Sequence, residues 1–155
     1  MRGLNKIVDV EDLSMMQMQL ENGVFASYAQ CHFTPDYWRS YTVIGTEGRL
    51  ENFGNKGDGC VVRLWNHHHD WKDEGDEVFP VETPPGGHGG ADPLIIGEFL
   101  RFLREGGPTE TSPLGARYSV AAGTAAAESL RDGGTPRSIE PVASHIADYF
   151  NRGQC

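Results

Sequence analysis

The residues best suited to chemistry lie in the run Gly86-Gly87-His88-Gly89-Gly90-Ala91-Asp92-Pro93. The pattern predicts a glycine-rich loop feeding a helix, with Asp92 as N-cap and Pro93 at the first helical position. Free backbone N–H groups and the positive end of a helix dipole suit an anion or an oxygen-rich ligand. His88 adds a group that donates or accepts a proton near neutral pH. A solvated loop with an exposed histidine accounts for the same residues. The dinucleotide fingerprint is not met: G-x-G-x-x-G spacing is absent and no βαβ pattern surrounds the run.

Two further clusters carry reactive side chains. Tyr37-Trp38-Arg39 follows a turn at Pro35. Rings beside a guanidinium suit sugar stacking and hydroxyl or phosphate contacts, and equally an aromatic cluster at a sheet edge. His32 carries the same ambiguity. His67-His68-His69 invites a metal reading. Adjacent histidines on a strand point to opposite faces, so at most two converge, and a real site needs Asp70 or Asp73 as well. A solvated loop is the simpler account, and no metal site is expected. Neither a nucleophile elbow nor a phosphate-binding P-loop is present.

The elements that must position these residues come in a set order. Met16, Met18 and Leu20 alternate with Gln17 and Gln19, predicting a strand. Asn22-Gly23 is a hairpin turn, and 24–33 reads as the returning strand. Strands are also predicted over 40–45, 49–53 and 60–65, with Glu47-Gly48 as a tight turn. Residues 66–90 are irregular, with a short strand at 78–81. Ile96, Phe99, Leu100 and Leu103 then repeat at helical spacing until Gly106-Gly107. A second helix starts at Ser112-Pro113, runs through a small-residue stripe containing Gly123, and stops at Gly133-Gly134. In that stripe Gly123 either permits close packing on a sheet or is merely tolerated. Residues 135–142 suggest a last short strand, and 143–155 a short helix or tail.

Strands first and helices after them define an α+β fold. The expectation is an open-faced, mainly antiparallel β-sheet with two long helices packed on one face, filling residues 1–142. The other face is left for a partner or a second domain.

Composition narrows the function classes. A chain of 155 residues supports one compact domain but not a nucleotide-binding domain and a substrate domain together. Its net charge of −9, with no basic stripe, makes nucleic acid and anionic membranes poor partners. No apolar run reaches the ~18 residues that read as a membrane span. Three cysteines without a C-x-x-C pair argue against a disulfide framework and a thiolate zinc site. A cytoplasmic location follows by elimination.

Three stretches together resemble the C-terminal domain of the Gfo/Idh/MocA oxidoreductases, which include glucose–fructose oxidoreductase and inositol dehydrogenase. They are Glu11-Asp12 through the hairpin to 43–51 (VIGTEGRLE), the His88–Asp92 loop with Phe99 and Phe102, and Thr111-Ser112-Pro113 leading to the helix ending ESLRDGGTP. The resemblance implies a domain that shapes the pocket for a sugar or polyol and builds a homo-oligomer through its sheet. It implies substrate contacts from His88 and Asp92, which match the family's His-Gly-Gly-x-Asp loop, and from Tyr37, Trp38 and Arg39. NAD(P) is the cofactor expected of the intact enzyme, held by a Rossmann domain. That domain, the Glu-Lys-Pro lysine and the Asp-x-x-x-His pair have no counterpart in the sequence. The chain alone is therefore expected to bind no cofactor and to supply no catalytic residue. The alternative is a non-enzymatic module that associates with itself or with a Rossmann-domain partner.

Overall fold

A computed structural model describes residues 10–54, 59–68, 70–82 and 84–151. By internal contacts the chain divides into two compact units, residues 1–38 and 39–155. The fold is α+β, and every strand pair is antiparallel, as the sequence predicts. The strands form two sheets rather than one.

The first unit holds the hairpin of β1 (Leu13–Gln19) and β2 (Phe25–Cys31). Its register runs from Leu13↔Cys31 to Gln19↔Phe25. Gly23 turns the chain at φ 84°, a left-handed conformation that favours glycine, and Asn22 accepts the Val24 amide on its side chain. The second strand ends at Cys31 rather than Phe33. Alternation places Leu13, Met15 and Phe25 on one face, all exposed.

In the second unit β3 (Thr42–Ile44), β4 (Arg49–Phe53), β5 (Val61–Trp65) and β6 (Glu77–Pro80) form a sheet in that order. The β3–β4 turn passes so close to β5 that a side chain at Gly48 would strike the Trp65 carbonyl oxygen. Cross-strand register separates two unlike faces. Arg49, Glu51, Phe53, Arg63 and Trp65 share one. There Arg63 lies over the Phe53 ring at 4.3 Å and Arg49 over Trp65 at 4.4 Å. Trp65, 7% exposed, is the buried core among the described residues, and its indole N–H donates to the Lys72 carbonyl at 2.6 Å. Val43, Leu50, Val62, Leu64 and Phe79 share the other face. None of these five is buried.

Three helices follow: α1 (Ala91–Glu105), α2 (Pro113–Arg131) and α3 (Ser144–Asn151). Ser112 caps α2 by accepting the Leu114 amide, as predicted. At α1 the cap differs from expectation. Gly90 occupies that position in a left-handed conformation, and Asp92 sits inside the first turn. Only a residue without Cβ fits there, because one at Gly90 would meet the Pro84 backbone. Bidentate Arg101 holds Glu98 at 2.8 Å through two nitrogens and donates to the Gly106 and Pro108 carbonyls, fixing the α1–α2 connection. Neither long helix buries a residue, so the Ile96–Phe99–Leu103 stripe is open. A Cβ at Gly123 would meet open space, so this glycine serves no close packing and is merely tolerated. Residues 135–142 form no strand; the Val142 amide instead donates to the Tyr118 hydroxyl at 3.0 Å.

Candidate functional site

The glycine-rich run folds as a short 3₁₀ turn, Gly87–Gly90, that hands directly into α1. His88 sits in it at φ 51°, ψ 40°, the one described non-glycine residue with positive φ. Non-glycine residues in this region are uncommon and cluster at functional positions. The conformation brings His88 Nδ1 to 2.8 Å and 3.0 Å from the two carboxylate oxygens of Asp92. A carboxylate oxygen accepts, so Nδ1 carries the hydrogen and Nε2 faces outward. The His88 side chain is 85% exposed, which leaves that nitrogen open to a ligand. Gly87 completes the turn: a side chain there would collide with the Asp92 carboxylate.

The sequence-predicted residues thus divide. His88 and Asp92 are brought together. Tyr37 and Trp38 lie exposed on a segment of the first unit without regular secondary structure. Arg39 opens the second unit, and its carbonyl accepts from Asn52 Nδ2 at 3.0 Å. His32 engages Gln30 across 3.2 Å. Of the histidine run, His67 Nδ1 stands 3.0 Å from Asp76 Oδ1, while His69 lies outside the described residues. Among the described residues no group of three His, Cys, Asp or Glu side chains is placed to hold a metal.

Asp76 organises the loop around His67. Its carboxylate accepts the Lys72 ammonium at 2.9 Å and the backbone amides of Asn66 and His67. The Lys72 hydrogen bond, then these amides, hold its carboxyl well below the usual carboxylate range. Sequence patterning did not single out Asp76, since its partners assemble only when β5 and β6 pair.

The chemistry of the helix start argues against a dinucleotide there. The positive end of α1 already faces the Asp92 carboxylate, so a pyrophosphate would meet a fixed negative charge. All described strand pairs are antiparallel, so the residues present do not fit a βαβ nucleotide cradle. A neutral, hydroxyl-rich ligand suits this turn better than an anion.

An antiparallel α+β domain with a His–Asp pair at a helix start is the class of structure so defined. The profile described as "Oxidoreductase family, C-terminal alpha/beta domain" matches residues 3–138, and the chain belongs to this Gfo/Idh/MocA oxidoreductase family. Comparison with curated proteins and with solved structures gave no match. No helix among the described residues is long and apolar enough to cross a membrane.

Proposed function

We propose that this domain lends substrate contacts to an NAD(P)-dependent oxidoreductase acting on a CH–OH group of a sugar or polyol. The observation that carries the reading is the His88–Asp92 pair. Asp92 orients the imidazole, and the outward Nε2 accepts a hydrogen bond from a substrate hydroxyl or, when the ring is protonated, donates one. Tyr37, Trp38 and Arg39 are proposed as further substrate contacts. The nicotinamide cofactor supplies hydride transfer when bound, and it is held by a separate dinucleotide-binding half. This chain orients hydroxyls and performs no hydride transfer by itself. The cytoplasm is the proposed compartment.

Assembly is proposed through the sheet. Val43, Leu50, Val62, Leu64 and Phe79 line one face without being buried, a composition suited to contact with another protein surface. The same face supports a second reading, a non-enzymatic module that associates with itself or with a Rossmann-domain partner.

The test is a fluorescence titration of the pure chain with NADH and NADPH, together with a turnover assay over a polyol panel. We expect neither saturable dinucleotide binding nor turnover. Either one would overturn the assignment of the cofactor to another domain.

A further inference from the structure

Trp71 lies parallel to Trp65, at 2° between planes and 5.3 Å between centroids. Its indole N–H donates to Asp73 Oδ1 at 2.9 Å. The ring is therefore held at one face and at its polar edge, yet Trp71 is 64% exposed. Arg49 does not cover the outer face. Stacked groups sit about 3.5 Å apart, so a cation outside Trp71 would lie about 7 Å from the Trp65 ring. Arg49 Cζ is 4.4 Å from Trp65 and 5.0 Å from Trp71, beside the stack rather than beyond it.

This indole borders a hollow of about 210 Å³ lined also by Glu47, Arg49, His67 and His68. At ~30 Å³ per water, that is room for roughly seven waters, the scale of one small ring. His67 supplies a partner for a hydroxyl. Its Nδ1 faces the Asp76 carboxylate at 3.0 Å and so carries the hydrogen, leaving Nε2 as the ring atom that can meet a hydroxyl. The charge around the hollow disfavours anions. Of its lining side chains Glu47 is acidic, and the Arg49 guanidinium is shared with the Glu51 carboxylate at 3.8 Å. One flat face rather than a cage of rings also fits a quaternary ammonium poorly.

We propose that the exposed indole of Trp71, where it borders this hollow, is a stacking platform for a neutral pyranose ring, a carbohydrate subsite built with Arg49, Trp65 and His67. None of its lining residues comes from the His88 turn. The flat C–H face of the sugar covers the indole and its rim hydroxyls meet His67 and Glu47.

The test uses the whole chain and saturation-transfer NMR with methyl β-glucopyranoside, methyl β-galactopyranoside, choline and adenosine. We expect at least one pyranoside to bind saturably, with transfer strongest at its axial C–H protons. Trp71→Ala should weaken that binding by about tenfold or more, the scale of one aromatic stack. Trp71→Phe, which keeps a ring over Trp65, should retain most of it. His67→Ala should weaken it, and Gly123→Ala, on α2 and outside both proposed sites, should leave it unchanged. Absence of pyranoside binding, binding that survives both Trp71→Ala and His67→Ala intact, or tighter binding of choline or adenosine would each overturn the proposal.

Discussion

His88 and Asp92 face each other at 2.8 Å and 3.0 Å across a turn in which His88 holds a left-handed backbone. The pair joins a cost and a gain that separate substitutions distinguish. A left-handed residue with a Cβ costs roughly 1–2 kcal/mol, whereas an exposed ion pair contributes about 0–1 kcal/mol. His88→Ala keeps the cost and gives up the pair, while His88→Gly gives up the pair and removes the cost. Urea unfolding should therefore show His88→Gly more stable than His88→Ala by about 1 kcal/mol. Equal midpoints would show that the turn relaxes in the alanine variant.

Gly123 sits inside α2 with open space where a Cβ would be. Gly123→Ala should raise the stability of the pure chain by about 1 kcal/mol, the ordinary helix-propensity difference. Thermal or urea unfolding checks this. A loss of stability would mean that another surface packs closely on this helix.

Glu98 is held at about 2, chiefly by its hydrogen bond to Arg101 and then by the Glu110 amide. A carboxyl lowered on folding stabilises fully above its ordinary value of 4.5, and that contribution shrinks as pH falls toward 2. Glu98→Gln should flatten this part of the acid limb in urea midpoints taken between about pH 5 and about pH 2.5. Arg101→Lys, which cannot reproduce the two-pronged contact, should lower the midpoint at neutral pH. An unchanged acid limb in Glu98→Gln would remove the pair from the account.

The open sheet face should drive association. Sedimentation of the pure chain should show concentration-dependent assembly, weakened by about tenfold in Val43→Lys, the effect of one desolvated charge at an apolar contact. Val43 is 62% exposed on β3, so the substitution leaves the fold intact. A chain that stays monomeric at high concentration would contradict association through this face.

Much of this architecture is legible in the sequence because its signals are local. Asn22-Gly23 marks the first hairpin, Glu47-Gly48 the second, and Ser112-Pro113 the start of α2. Each works through turn or cap chemistry that a few neighbours determine. The misplaced cap of α1 shows the limit. Asp92 has the right side chain for a cap, but His88 claims its carboxylate and Gly90 takes the position because Pro84 crowds it. The Trp65–Trp71 stack and the Arg–aromatic face were equally hidden, since they require β4, β5 and the following loop to meet. Of the His88–Asp92 pairing, the sequence carries the spacing of four but not the left-handed backbone that closes it.

On the proposed reading, Asp92 presents His88 to a polyol or sugar hydroxyl. The most direct measurement is NMR of the chain with ¹³C-labelled histidine, titrated with myo-inositol and a panel of sugars. A saturable shift of the His88 ring signals is expected for at least one of them, weakened in Asp92→Asn. A His88 ring unmoved by every member of the panel would contradict it.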